Sequence, residues 1–199
     1  MVGDPLPVLL REIEACRLCA AHLPLGPRPV IRAAAGARIL VIGQAPGTKV
    51  HRTGIPFNDP SGDRLRDWMG IDRDIFYDES RIAIMPMGLC YPGRNARGGD
   101  APPRPECAPL WHDRVRALLP AIELTLLIGA YAQARYLGEK REKTLAPTVA
   151  GTVARWRDFG PAFIPTPHPS PRNRNWLKTH PWFEDEVVPE IRRRVRELV

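Results

Sequence analysis

The chain has 199 residues, of which 29 are Lys or Arg and 22 are Asp or Glu, for a formal net charge of +7. At that length one domain buries roughly 70% of the extended-chain surface, so a core forms without a disulfide or metal staple. No apolar run reaches the roughly eighteen residues that span a bilayer, and the first residues carry no basic leader with a small-residue cleavage site, so a cytoplasmic, non-membrane protein is expected. The basic balance favours a polyanionic partner, nucleic acid first, although +7 also lies in the ordinary range of a solvated surface.

In chain order, residues 5–19 place Leu6, Leu9, Leu10, Ile13 and Cys16 at helical spacing, an amphipathic helix. Residues 38–42 read as a short buried strand that runs into GQAPG, where small residues let backbone N–H groups approach a ligand. A helix follows over 59–69, capped by Asp59 or Ser61 and stopped by Gly70. RIAIMPMG is a second strand, ended by Pro86 or Gly88; a Pro/Gly/Arg loop leads to a helix over 106–119. The third strand is 122–129, with a short helix after it that ends at Gly138. A fourth strand, AFIP, enters the loop TPHPSPRNRN, and a basic helix over 182–199 closes the chain.

Strands alternating with helices predict a three-layer αβα sandwich around a parallel sheet, in one domain covering 1–199. Ligands in such sheets sit beyond the carboxyl ends of the strands, where both GQAPG and PHPSP fall. The 23 prolines, concentrated in loops, predict rigid connections. Four cysteines in a chain without a secretory leader point to thiols, a metal or a cluster in preference to disulfides. Cys16 and Cys19 stand two residues apart, and a Pro/Gly/Arg loop separates Cys90 from Cys107. Four thiolates suit a [4Fe-4S] cluster or tetrahedral zinc, and four ordinary core cysteines are the plain alternative.

GQAPGTKVHRTGIPFNDPSG resembles the first motif of the uracil-DNA glycosylase superfamily, in which a strand ends in G-[EQ]-[AD]-P and G-x-P-F follows; PHPSP resembles the second. The likeness runs over nearly the whole chain and is strongest to the iron-sulfur branch (families four and five), which has counterparts of CRLC, of CYPGRNARGGDAPPRPEC and of LLIGAYAQARYLG. It implies a four-stranded parallel sheet and a DNA-repair glycosylase that flips a uracil or related deaminated base into a pocket and hydrolyses its N-glycosidic bond. On this resemblance Gly43 and Ala45 present backbone to the base, Gln44 orients a water or phosphate, Phe57 stacks on the base, and His168 stabilises charge on the leaving base. Arg172 takes the place of an intercalating side chain, with Ser170, Asn173 and Arg174 as phosphate donors. Cys16, Cys19, Cys90 and Cys107 would hold a structural [4Fe-4S] cluster, zinc or no metal being the alternatives, and the pinned loop would offer Arg94, Arg97 and Arg104 to phosphates. The expected partner is DNA with a damaged or deaminated base, bound by a monomer.

The chain departs from that pattern twice. Ala45 stands where one branch has a water-activating aspartate, and Gln44 where the iron-sulfur branch has glutamate, which predicts a dissociative path and modest rates. Pro86 stands where relatives place the asparagine that reads the uracil edge; Asn58 is a replacement reader or merely a turn residue, and Asp59 a distant base or merely a helix cap. These losses favour a rival, a catalytically weak or inactive DNA- or lesion-binding module of the same fold. A small-molecule nucleoside hydrolase is a third reading, which leaves the basic charge unexplained.

Overall fold

Strand residues pointing alternately to opposite faces divide this protein into two cores on either side of one sheet. The structure is a computed structural model and describes residues 4–96, 98–141 and 148–199. Strands β1 (Ile39–Ile42), β2 (Ile82–Ile84), β3 (Leu124–Ile128) and β4 (Phe163–Thr166) form an all-parallel sheet in the order β2-β1-β3-β4. β1 is central, with Ile39 opposite both Ile82 and Leu124. Nearly every strand residue is buried, as expected of a parallel sheet covered on both faces.

Helices α1 (Pro5–Glu14), α2 (Thr48–Thr53), α3 (Pro60–Met69), α4 (Arg73–Tyr77), α5 (Cys107–Ala117), α6 (Gly129–Leu137), α7 (Val149–Ala154), α8 (Arg174–Thr179) and α9 (Val188–Leu198) surround the sheet. On one face Ile39, Val41, Ile82, Leu126 and Ile164 pack against Leu65 and Trp68 of α3 and Ile191 and Val195 of α9. On the other, Leu40, Ile42, Ala83 and Leu127 meet Leu6 and Ile13 of α1 and Trp111 and Val115 of α5. The expected αβα sandwich is therefore the observed one. No helix among the described residues is long and apolar enough to cross a membrane.

Three boundaries differ from the sequence reading. α1 is capped by the Asp4 carboxylate, which accepts from the Leu6 N–H, and stops at Glu14, so Cys16 and Cys19 lie in the turns beyond it. β2 is counted only to Ile84, because Pro86 cannot donate to the ladder; the chain still follows β1 through the Met85, Met87 and Gly88 N–H groups. Its outer edge is covered by an antiparallel bridge between Arg32 and Ile84. The last helix begins with a π-helical turn, Phe183–Val187, because Pro189 has no N–H to give to the carbonyl four residues before it. The loop after PHPSP is also partly helical: Arg174 opens α8 and Asn173 sits at its N-cap position.

Candidate functional site

With all strands parallel, the loops after β1, β2 and β4 meet at one edge of the sheet, where they enclose a cavity of about 290 Å³. Gly43, Gln44 and Ala45 line it from β1, Phe57 and Asp59 from the segment before α3, Pro86 and Asp100 from the loop after β2, and His168, Ser170 and Arg172 from the loop after β4. That volume lies near the lower end of ligand-sized pockets, about 300–1,000 Å³. The carry-over residues Gly43, Gln44, Ala45, Phe57, His168, Ser170 and Arg172 are thus brought together; Asn58, Asn173 and Arg174 do not line the cavity.

Phe57 is placed there by a strained turn. Its φ is +52°, in the left-handed region that side chains rarely adopt. A Cβ on Gly62 would stand 1.7 Å from the Phe57 carbonyl oxygen, so the glycine of NDPSG is needed for the turn to lie against α3. The Tyr77 hydroxyl donates to the adjacent Pro56 carbonyl at 2.8 Å. The ring then meets Phe76 edge-on, centroids 6.2 Å apart, and its Cζ would be 3.0 Å from a Cβ on Gly43. Gly43 therefore makes room for Phe57 as well as bringing backbone to the cavity wall.

His168 follows the buried end of β4 and is flanked by the buried Pro167 and Pro169. Its Nδ1 accepts from the Ser170 N–H at 3.2 Å, which leaves the proton of the neutral ring on Nε2. Asn173 Nδ2 donates to the His168 carbonyl at 2.7 Å, so Asn173 positions this loop instead of standing free for phosphate. Burial of the ring lowers its pKa; the Asp59 and Asp100 carboxylates pull the other way.

The remaining residues are engaged differently from expectation. Gln44 Nε2 donates to the Ala101 carbonyl at 3.2 Å, tying the β1 loop to the loop after β2. Arg172 Nη2 donates to the Gly98 carbonyl at 3.2 Å, reaching the same loop from the other side. Asn58 Oδ1 accepts from Arg73, and Asp59 caps α3 by accepting from the Gly62 N–H. Behind the Pro86 wall, His112 donates from Nε2 to the Pro86 carbonyl at 3.1 Å, and its Nδ1 accepts from the Tyr136 hydroxyl at 2.7 Å. His112 is fully buried, which pushes its pKa down to about 4 and keeps it neutral. Asp100 has no signature that singled it out in the sequence; only the fold of residues 93–101 brings it to the pocket.

A second, smaller cavity of about 20 Å³ is lined by all four cysteines together with Leu23, Pro27, Leu89 and Trp111. None of the four is in a disulfide. Cys107 opens α5, where its sulfur accepts from the Leu89 N–H at 3.4 Å. Burial pushes the Cys90 and Cys107 thiols up to about 11 and raises Cys19. Among the described residues no group of three or more His, Cys, Asp or Glu side chains is arranged around a single-ion position. The thiols therefore ring a space rather than meet at a point. Arg104 is held by Glu106 at 2.7 Å instead of facing outward, Arg94 is exposed, and Arg97 lies outside the described residues.

A parallel αβα sandwich with a strand-end pocket lined by backbone, an aromatic ring and a neutral imidazole has the architecture of the open-sheet α/β proteins, whose ligand sites lie beyond the carboxyl ends of the strands. Residues 31–192 match the family profile of the Uracil DNA glycosylase superfamily, and the chain belongs to that superfamily. It is also similar to a solution NMR structure of a Methanosarcina acetivorans protein provisionally assigned as a uracil DNA glycosylase, at 16% identity, with 81% of this chain and 92% of that chain covered and a TM-score of 0.45.

Proposed function

We propose that this single-domain protein excises uracil or a related deaminated base from DNA by flipping the nucleotide and hydrolysing its N-glycosidic bond. The observation that carries this reading is that Phe57 and His168, far apart in sequence, line one cavity at the sheet edge. The extruded base stacks on Phe57, with the Gly43–Ala45 backbone against its rim. As the C1′–N bond stretches, charge grows on the base, and the Nε2–H of neutral His168 donates to a base carbonyl oxygen. The lowered pKa is consistent with this role, because the neutral ring keeps the Nδ1 lone pair that accepts from the Ser170 N–H and carries its proton on Nε2. The exposed Arg94, Arg172 and Arg174 stand around the pocket as phosphate donors, and Arg172 acts as the wedge once it leaves Gly98.

In the same reading Cys16, Cys19, Cys90 and Cys107 hold a [4Fe-4S] cluster, as in the iron-sulfur branch. Sulfurs on one tetrahedral zinc would stand about 3.8 Å apart around a single point, given Zn–S bonds of about 2.3 Å. Four thiols lining one cavity are the observation that supports a group with four thiolate ligands. The bound cluster would supply cross-linking, not redox chemistry, joining the turn after α1 to both ends of the loop that carries Asp100. We also infer a cytoplasmic monomer.

A second reading has its own observation. Pro86 puts a ring without a donor where an edge reader would stand, and Asn58 is turned to Arg73, which favours a lesion-binding module without turnover. Purified protein incubated with labelled uracil-containing oligonucleotides, single- and double-stranded, and then cleaved with alkali separates the two. Excision is expected; salt-sensitive binding with no product at stoichiometric protein over several lesions would establish the binder.

A further inference from the structure

We infer that Asp100 is the general base of the reaction, taking a proton from the water that attacks C1′ of the flipped nucleotide. The inference rests on the glycosylase reading above. Hydrolysis needs a nucleophile opposite the departing base, and Ala45 leaves the β1 loop without a carboxylate to activate one.

Three groups lining the cavity are of a type that accepts a proton near neutrality: Asp59, Asp100 and His168. His168 is spoken for, since its Nδ1 lone pair takes the Ser170 N–H and its Nε2 carries the proton that the leaving base needs. Asp59 is fixed to the start of α3 by the Gly62 N–H at 2.9 Å. The Asp100 carboxylate has no hydrogen bond or ion pair with any described residue, so its lone pairs are open to water.

Its backbone, in contrast, is held on every side. Asp100 bridges antiparallel to Arg94, and Asn95 donates from its side-chain amide to the Asp100 carbonyl at 3.2 Å. Ala101 donates to Gly93 at 2.9 Å. Gln44 grips Ala101 from the β1 loop. The motif loop after β1 that builds the pocket therefore also positions this hairpin. A free carboxylate on a fixed frame is what a general base requires. The charge is also misplaced for any purely binding role. An exposed anion in a cavity that Arg172 also lines opposes DNA phosphate, so it weakens binding and needs another reason to be there.

In the step itself the C1′–N bond breaks and its electron pair moves onto the base, where the His168 Nε2–H donates to the carbonyl oxygen. The water oxygen forms the new bond to C1′, and the water proton passes to the Asp100 carboxylate.

Single-turnover excision by wild type, Asp100→Asn, Asp100→Glu and Asp59→Asn tests this, together with anisotropy on a duplex carrying a tetrahydrofuran abasic analogue. Asp100→Asn should lower the excision rate by about 10²–10⁴-fold, the range of general-base contributions. Its affinity for the tetrahydrofuran duplex should stay level or tighten, and Asp100→Glu should recover part of the rate. A rate for Asp100→Asn within about threefold of wild type overturns the inference, well below what a general base contributes. So does a loss of affinity that matches the loss of rate, or a large loss confined to Asp59→Asn. If the wild type excises nothing, the glycosylase reading falls and this inference with it, an outcome distinct from an active wild type with an equally active Asp100→Asn.

Discussion

Acidification should unfold this protein partly through one histidine that touches no ligand. His112 is fully buried between the Pro86 carbonyl and the Tyr136 hydroxyl, and its pKa falls from 6.5 to about 4 because the charged ring would be desolvated. The unfolded chain therefore binds a proton at this site over a pH range in which the folded chain does not. The stability that comes from keeping the ring neutral is fully present above pH 6.5, is lost as the pH falls towards 4, and changes no further below that. The fall from 6.5 to about 4 makes the whole loss about 3 kcal/mol, of which about 1 kcal/mol is gone by pH 5.5. Urea unfolding of wild type and His112→Gln at pH 7, 5.5 and 4.5 reads this directly, since Gln retains a donor for Pro86 without titrating. Carboxylates whose pKa values are lowered in the fold, such as Glu106 and Glu190, act equally in both proteins and cancel in the difference. Wild type should lose about 2 kcal/mol more than the variant between pH 7 and 4.5. Parallel curves would refute the reasoning, because the buried ring would then be free to charge at no cost.

The other predictions concern the pocket and the cysteine cavity. His168→Ala should reduce excision by at least about 10²-fold, the loss typical of one donor to a developing anion, while DNA affinity stays within about threefold in fluorescence anisotropy. Gly62→Ala should lower stability by about 2 kcal/mol or more, roughly 5 °C or more in Tm, because a Cβ 1.7 Å from the Phe57 carbonyl forces the turn away from α3; calorimetry that finds no change would show that the turn yields freely. Cys107→Ser should remove the brown visible absorption and the bound iron of anaerobically purified protein, and elemental analysis finding one zinc per chain in the wild type would replace the cluster with a single ion.

The parallel sheet was legible in the sequence because its strands are short, apolar and punctuated by Gly and Pro: residues 39–42, 82–84 and 124–128 fall inside the expected runs, and 163–166 overruns the expected AFIP by one residue, Thr166. Short helices such as α2 and α4 were not, since a helix of one or two turns carries too few periods to be told from a loop. In the site, GQAPG and PHPSP located the pocket, and NDPSG correctly suggested a cap at Asp59. The same motifs gave no sign of the hydrogen bonds that Gln44 and Arg172 make. Both reach across to a loop more than fifty residues away in sequence, and no local pattern encodes such a hydrogen bond.

The sequence by itself determined where strands end in glycine and proline, which histidine is locked between prolines, and which aromatic residue follows the first turn. These are local consequences of φ restriction and of apolar period. Only the tertiary structure decided that Phe57, His168 and Asp100 share one cavity, that four cysteines ring another, and that Asn58 turns away from the first. Those facts depend on the order β2-β1-β3-β4 and on contacts between loops distant along the chain, which exist only once the sheet has closed its cores.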